Sequence, residues 1–253
     1  MSESELVQTP VPSEVPKQVF QVSDELRSRI ERLGLLETVQ HARENGFSYI
    51  RDPEPMEFND RLREVVLKLS EAKRGTNMLL DKDPIFEEVV LNPKLQTIVE
   101  LMVGEGALLS QFTLSVRGKG ARALPLHADQ NWTPAPFPGH NQLVTFCWAC
   151  DEFTKAGGAT MVVPKTHLNR RHPAPREVKQ AQGAIAIECP AGSVPFWDGS
   201  VWHGNWPRTI EGKRVVLHIT FTRAYLRQLE NYRYLDEAWV QDRPPEIRVM
   251  LGR

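Results

Sequence analysis

The chain has 253 residues, of which 41% are hydrophobic and 25% charged, a composition typical of globular proteins with a full hydrophobic core. Its 31 basic and 32 acidic residues leave a formal net charge of −1, so the charge balance indicates neither a nucleic-acid nor a membrane-surface partner. The sequence lacks a signal-peptide pattern and any apolar run near the roughly 20 residues of a membrane helix, and its three cysteines favour reduced thiols, so we predict a cytoplasmic protein.

The first hundred residues are predicted to be mostly helical. Residues 1–20 contain three prolines among Ser, Glu and Val, and we expect a flexible lead-in there. A helix is predicted to begin at Ser23, to break near Gly34 and to end at Gly46. A short strand at 47–51 follows, and apolar residues at helical spacing then predict helices over 58–69, 84–90 and 92–104.

After Gly104 the pattern changes to short runs rich in Val, Ile, Thr, Phe and Trp, separated by Gly and Pro. Many short strands at close spacing predict a sandwich or barrel rather than alternating β/α units. A last helix is expected over 226–241. We therefore predict a mainly β fold with flanking helices, in one domain over 21–253. The predicted strands lie near 107–116, 123–129, 142–150, 159–163, 184–188, 193–197, 201–205 and 214–222.

His127 and Asp129 stand two positions apart at the end of the second predicted long strand. Because side chains alternate between the faces of a strand, the imidazole and the carboxylate are expected to point the same way and to form half of a metal site. Such a pair alone is common by chance. His203, which follows the turn 198–202 into a late strand, is the predicted third ligand, and Arg214 lies on the next strand.

The ligand types indicate which metal would bind. Two imidazoles and one carboxylate occupy one face of an ion and leave the opposite positions open, which is the ligand set of non-haem Fe(II) oxygenases. Zinc is the alternative, but structural zinc usually has four closed ligands. The guanidinium of Arg214 suits the distal carboxylate of 2-oxoglutarate. His218, inside an apolar strand, is expected to be a hydrogen-bonded buried histidine rather than a ligand.

At this point the motifs resemble the phytanoyl-CoA dioxygenase (PhyH-like) family of Fe(II)/2-oxoglutarate-dependent oxygenases, over roughly residues 107–225. The resemblance implies a double-stranded β-helix, the jelly-roll barrel of cupins, with its core at about 107–225 and the metal near one open mouth. Two departures stand out: Pro164–His167 lacks the usual tight-turn glycine, so a different loop shape is expected, and Asn205 replaces a small hydroxyl residue. The matching segments are Leu126–Gln130, Gly157–His167, Ala191–Gly204 and Arg214–Phe221.

Carried over by position, the resemblance implies His127, Asp129 and His203 as the catalytic Fe(II) ligands. Arg214 would anchor 2-oxoglutarate and Asn205 would donate a further hydrogen bond to it. With O2 as the second co-substrate, a C–H bond of the substrate would be hydroxylated while succinate and CO2 are released. Related halogenases have Gly or Ala in place of Asp129, so its presence favours hydroxylation.

The remaining site candidates concern the co-substrate and the substrate. Family members use a polar residue on an early barrel strand for the co-substrate, and the candidates here are Gln111 and Thr113. A further candidate is Thr145 or Trp148, on the strand after the His127–Asp129 motif. In the segments 131–141 and 168–182, which are expected to border the mouth, Trp132 and Phe137 would form an apolar wall. The second segment is basic and is interpreted as a cationic lid, which would favour an anionic small-molecule substrate. The alternative is that it is a solvated loop. The basic residues concerned are Arg170, Arg171 and Arg176.

Three other interpretations are considered. Cys147 and Cys150 form a Cys-x-x-Cys within a predicted strand, where residues three apart face opposite sides, so we expect two buried thiols rather than a redox pair. A jelly-roll protein that keeps the ligands but only binds metal or a small molecule is the main alternative to the oxygenase. A cupin-like isomerase or hydrolase would have no need of Arg214.

Overall fold

Two antiparallel sheets form the centre of the computed structural model, which describes residues 22–72, 76–130 and 132–253. The strands are β1 (Phe47–Ile50), β2 (Leu108–Gly118), β3 (Leu124–His127), β4 (Leu143–Ala149), β5 (Thr160–Val163), β6 (Ile185–Ala186), β7 (Val194–Asp198), β8 (Trp202–Asn205) and β9 (Lys213–Thr222). The large sheet has the order β1-β7-β4-β9-β2 and the small sheet the order β3-β8-β5-β6. This is the predicted double-stranded β-helix, and the predicted strand positions are confirmed to within a few residues.

Most of the helices cover the outer face of the large sheet, whereas the short helix at 175–180 contacts β3 of the small sheet. They are α1 (Asp24–Arg32), α2 (Leu36–Asn45), α3 (Met56–Glu71), α4 (Pro84–Leu91), α5 (Pro93–Val103), α6 (Pro175–Gln180), α7 (Glu237–Gln241) and α8 (Pro245–Leu251). Apolar residues of α1–α5 and α8 share one core with outward-facing residues of β2, β4, β7 and β9. Such a shared core is what one domain requires, and the bounds 21–253 remain a prediction.

Successive side chains of β4 point alternately into this outer core and into the space between the sheets. Phe146 and Trp148 belong to the outer core, whereas Cys147 and Ala149 belong to a second cluster between the sheets. Both faces of β4 are therefore buried, which explains its continuous run of apolar residues. Cys150 is also a free buried thiol and lies in the outer core, so the two sulfurs face different clusters as predicted.

The N-terminal helix prediction requires a small revision. The Ser23 hydroxyl accepts a hydrogen bond from the Leu26 N–H at 3.1 Å, as expected for a helix cap. Gly34 has a φ of 68° and separates α1 from α2, so the predicted break produces two helices. The lead-in predicted for residues 1–20 lies outside the described residues.

The helix predicted over 226–241 is wrong. Only a 3-10 turn at Tyr232–Tyr234 and the short helix α7 form there, and α8 follows after the prolines. The cause is the buried carboxylate of Glu230, which accepts hydrogen bonds from the N–H groups of Met78 and Phe112 and from the Tyr232 hydroxyl. These tertiary bonds hold the segment against the sheet in place of local helical bonds.

The loop at 164–167 has a left-handed residue in place of the expected glycine. Lys165 adopts a φ of 66°, a backbone conformation that favours glycine.

No helix within the described residues is long and apolar enough to cross a membrane.

Candidate active site

His127, Asp129 and His203 converge at one end of the small sheet. His127 ends β3 and is the direct cross-strand partner of His203 on β8. Asp129 Oδ1 lies 3.6 Å from His127 Nε2 and 3.5 Å from His203 Nε2, and one ligand atom from each residue lies within 4.8 Å of the others. A single ion could therefore contact all three residues.

Asp129 does not lie on the strand as predicted, because β3 already ends at His127. Its side chain nevertheless faces the same region as His127. The Asp129 N–H donates to the Gly199 carbonyl at 2.8 Å, and this bond holds the backbone that follows β3. The approach of β3 to β8 also depends on Gly204. A Cβ atom at Gly204 would clash with the Leu124 carbonyl oxygen and lie 3.0 Å from that of Pro125.

Backbone carbonyls orient both imidazoles. The Nδ1–H of His127 donates to the Pro125 carbonyl at 3.0 Å, and that of His203 donates to the Val201 carbonyl at 3.1 Å. Each Nε2 lone pair is then directed into the site, as metal coordination requires. Burial lowers the pKa of His203, which keeps its ring neutral and able to act as a ligand.

Asp129 uses its two oxygens differently. Oδ2 accepts hydrogen bonds from Thr145 Oγ1 at 3.0 Å and from Trp197 Nε1 at 3.1 Å, which leaves Oδ1 facing the imidazoles. Burial by itself raises the pKa of Asp129, but the two imidazoles and the two hydrogen bonds outweigh it and lower the pKa below its usual value. Asp129 is thus held as a carboxylate of fixed orientation.

Replacing Trp197 by Phe tests this orientation. The ring volume stays nearly the same while the N–H donor to Asp129 Oδ2 is lost, so we expect metal affinity to fall by about 10-fold. Titration of the protein with Co(II) or anaerobic Fe(II) measures the change. Trp239→Phe, on the distant helix α7, is the matched control, and an unchanged affinity in Trp197→Phe would contradict the assigned role.

A cavity of about 400 Å³ opens beside the three ligands. Among the predicted site residues, Gln111, Thr113, Asn205 and the 75% exposed Trp132 line it. Thr145 also lines it, but its hydroxyl is already bonded to Asp129 and to Thr220. The other lining residues are Leu124, Leu143, Thr160, Trp197, Gly204, His218, Thr220 and Leu229.

Two predicted site residues lie elsewhere. Trp148 points away from the cavity and packs in the outer core, with its ring centroid 5.6 Å from that of Phe58. Strand alternation is the reason, since Thr145 and Trp148 are three apart and face opposite sides. Phe137 is fully buried and packs beside Trp202 and edge-on to His172 at 4.8 Å, so it supports the loop instead of forming an apolar wall at the mouth.

The basic segment also differs from the prediction. None of Arg170, Arg171 and Arg176 lines the cavity. Arg171 forms two hydrogen bonds to the Glu177 carboxylate, at 2.7 and 2.8 Å, and stacks over the Trp202 ring at 4.8 Å. Its charge is thereby compensated within the segment. The predicted cationic lid would require these arginines in the cavity lining, where the described residues do not place them.

Arg214 is buried, with only 2% of its surface exposed, and it is not among the residues that line the cavity, although His218 and Thr220 on the same face of β9 are. One terminal N–H group donates to the Gly158 carbonyl and the guanidinium lies 5.3 Å from the Phe153 ring, but Nε has no hydrogen-bond partner among the described residues. Within the described residues no carboxylate forms an ion pair with it. Burial lowers the Arg214 pKa to about 10, so the group is still charged at neutral pH. A buried cation with an unsatisfied donor fits an anionic ligand.

The sequence interpretation missed Trp197 and Thr220 and did not place His218 in the cavity. Strand register offers a signal for the first two, since both are direct cross-strand partners of Thr145. In an antiparallel sheet, directly opposed side chains share a face. Once Thr145 is placed facing the metal ligands, Trp197 and Thr220 are expected to face them as well.

The sequence matches the profile of the family described as phytanoyl-CoA dioxygenase (PhyH) over residues 19–214. An uncharacterized protein of Mycobacterium tuberculosis, Rv1501, is 28% identical over 180 residues, which cover 69% of this chain and 65% of that protein. The dioxygenase af480 of Aspergillus fumigatus is 25% identical over 177 residues, covering 69% of this chain and 54% of that protein. This chain thus aligns with less than two thirds of the length of either relative.

Among solved structures, HygX from Streptomyces hygroscopicus, crystallised with nickel and 2-oxoglutarate bound, has a TM-score of 0.65. The match covers 76% of this chain and 88% of HygX at 16% identity, and so shows a shared fold. The profile match, which extends over most of the chain, agrees with the motifs and with the double-stranded β-helix. The chain therefore belongs to the phytanoyl-CoA dioxygenase (PhyH) family of Fe(II)- and 2-oxoglutarate-dependent oxygenases.

Proposed function

We propose that this protein is a dioxygenase that hydroxylates a C–H bond of a small organic substrate and releases succinate and CO2 from 2-oxoglutarate. One observation carries the proposal: a three-ligand cluster with open space on one side lies in the same protein interior as a buried arginine, and that arginine has no carboxylate partner in the described part of the chain. A silent binding module has no need for this combination, and a hydrolase or isomerase has no need for the arginine.

The side chains fit the groups that this reaction requires. His127, Asp129 and His203 would hold Fe(II) through two nitrogens and one oxygen, which matches the preferred ligands of that ion. Arg214 would bind the distal carboxylate of 2-oxoglutarate through two hydrogen bonds. When bound, iron and 2-oxoglutarate would supply the oxidising power for O2 activation.

Other cavity residues would position the co-substrate and restrict water. Asn205, Gln111 and Thr113 provide polar groups in the lining, and Leu124 and Leu143 provide apolar surface beside the ligands. Exclusion of water by a bound substrate would strengthen the electrostatic interactions that orient the bound molecules. Asp129 keeps the third ligand position occupied by the protein, which favours hydroxylation over halogenation.

The substrate proposal changes from an anionic molecule to one whose entering part is uncharged. Asp129 is the one Asp, Glu, Lys or Arg in the described lining of the cavity, and the arginines of the basic segment do not reach it. Leu124, Leu229 and the largely exposed Trp132 add apolar surface at its open side. We further propose that the protein acts in the cytoplasm on small molecules, without a nucleic-acid or membrane partner.

An anaerobic titration tests the proposed activity. We expect a weak visible absorption band that appears only when both Fe(II) and 2-oxoglutarate are present, followed by succinate after air is admitted. Absence of the band and of succinate would overturn the proposal. Metal binding without either signal would favour the silent module, and turnover that is independent of 2-oxoglutarate would favour an isomerase or hydrolase.

A succinate-release screen against small molecules then identifies the substrate class. The screen uses matched pairs that share a carbon skeleton, one member neutral and the other carboxylated. We expect the neutral members to accelerate succinate release more strongly. Faster release with the carboxylated members would contradict the uncharged-substrate proposal while leaving the dioxygenase assignment intact.

A further inference from the structure

His218 lines the cavity together with the three metal ligands. It is on β9 on the same strand face as Arg214 and Thr220, four residues after the first and two before the second. Thr113 on β2 and Cys147 on β4 are its direct cross-strand neighbours. Both His218 and Thr113 line the cavity, whereas Cys147 lies in the cluster between the sheets.

Cys147 bonds to one nitrogen of the His218 ring. The Cys147 sulfur lies 3.1 Å from His218 Nδ1, within hydrogen-bond reach for sulfur. Burial raises the pKa of the Cys147 thiol to about 12, so the thiol keeps its proton. Burial, assisted by the positive charge of Arg214, lowers the pKa of His218 to about 4, so the imidazole is neutral.

With both groups neutral, the relative acceptor strengths of sulfur and nitrogen set the direction of the hydrogen bond. Sulfur is a weak acceptor and an imidazole nitrogen a strong one, so the thiol S–H donates and Nδ1 accepts. The single proton of the neutral ring must then be on Nε2. Within the described residues Nε2 has no hydrogen-bond partner, although the ring faces the cavity. His218 therefore presents an unused, neutral N–H donor to the cavity.

We propose that His218 is a co-substrate-binding residue, whose Nε2–H donates to the 2-oxoglutarate carboxylate held by Arg214, and that Cys147 is the positioning residue that fixes its tautomer. This inference rests on the proposed function. A neutral second donor is appropriate beside Arg214, because one carboxylate can compensate only one buried positive charge. A charged histidine at the same place would add a second buried cation.

The first test observes the tautomer directly and does not depend on activity. Protein with ¹⁵N-labelled histidine is loaded with Zn(II), which is diamagnetic and supports no turnover, and ¹⁵N–¹H spectra are recorded with and without 2-oxoglutarate. We expect His218, assigned by the loss of its signals in His218→Gln, to be protonated at Nε2 only. Addition of 2-oxoglutarate should shift the Nε2–H resonance. The Nδ1–H tautomer, or an unaffected Nε2–H, would overturn the proposal.

The second test measures 2-oxoglutarate binding by calorimetry, with Fe(II) bound and O2 excluded. His218→Phe removes the donor, and we expect the dissociation constant to rise about 10- to 100-fold, as for a lost hydrogen bond to a charged group. His218→Gln keeps an N–H donor and should bind more tightly than His218→Phe. Cys147→Ser, which keeps a donor to Nδ1, should retain the Nε2–H tautomer, whereas Cys147→Ala should allow both tautomers and weaken binding.

Controls separate this inference from the proposed function. His140→Phe changes a histidine outside the cavity that bonds to the Tyr225 hydroxyl, and it should bind 2-oxoglutarate like the unmodified protein. Unchanged Fe(II) affinity in His218→Phe shows that its fold is intact. Equal 2-oxoglutarate binding by His218→Phe and unmodified protein overturns the inference alone. No binding by unmodified protein overturns the proposed function as well.

Discussion

Replacing Asp129 by alanine is expected to remove turnover and to lower Fe(II) affinity more than about 100-fold, since even residues that only orient a ligand contribute 10- to 100-fold. The change removes the oxygen between the two imidazoles and leaves the donors of Thr145 and Trp197 without their acceptor. Fe(II) or Co(II) titration measures the affinity, and succinate release after addition of air measures the activity. His127→Ala and His203→Ala should behave in the same way.

The control for this prediction is Asp81→Asn. Asp81 is exposed and bonds to the Tyr234 hydroxyl far from the cavity, so its substitution should leave metal binding unchanged. Circular dichroism of Asp129→Ala establishes that the chain is folded. If the folded variant binds Fe(II) as tightly as the unmodified protein, Asp129 is not a metal ligand.

Replacing Arg214 by methionine is expected to abolish 2-oxoglutarate binding at ordinary concentrations while leaving Fe(II) affinity intact. Loss of one partner of a buried, hydrogen-bonded charge pair costs about 2–5 kcal/mol, which corresponds to a rise in Kd of about 30-fold or more. Anaerobic titration of the visible band with 2-oxoglutarate measures this Kd. The 2-oxoglutarate Kd of Arg214→Lys should lie between those of the unmodified protein and Arg214→Met. Its ammonium keeps the charge but cannot form the two parallel hydrogen bonds of a guanidinium.

Thermal unfolding gives a second readout for Arg214. In the ligand-free protein the guanidinium is buried and no carboxylate of the described residues pairs with it, so we expect methionine of similar length to leave the Tm unchanged or to raise it. Addition of 2-oxoglutarate to the Fe(II)-loaded protein should raise the Tm of the unmodified chain and not that of Arg214→Met. Arg171→Gln, whose partner is Glu177 outside the cavity, is the control. A 2-oxoglutarate-dependent rise in the Tm of Arg214→Met would contradict the assignment.

Sequence patterns predicted the parts of this fold that depend on short runs of apolar residues and on the Gly and Pro residues that separate them. Strand positions followed from short apolar runs. The convergence of His127 and Asp129 was predicted from strand alternation, although the strand ends at His127 and a backbone bond to Gly199 holds Asp129. The C-terminal segment could not be predicted in this way, because the conformation around Glu230 depends on N–H groups of Met78 and Phe112 that are distant in sequence.

The candidate site shows the same division. Positions with a motif, such as His203 and Arg214, could be proposed from sequence, whereas the lining depended on which face of a strand each residue occupies. Trp148 was misassigned for this reason, and Trp197 was missed because its hydrogen bond to Asp129 depends on the pairing of β4 with β7. The charge of the segment around Arg171 was visible, but its compensation by Glu177 was not.

The pairing of His127 with His203 has a consequence for folding. β3 lies at the edge of the small sheet, and its register with β8 pairs Leu124 with Asn205 and His127 with His203. An ion bound by both imidazoles would join two segments that are far apart in the chain, like a removable crosslink, and its binding free energy would add to the stability of this edge. The iron concentration of the surroundings would then determine not only how many active sites are occupied but also how often β3 separates from β8.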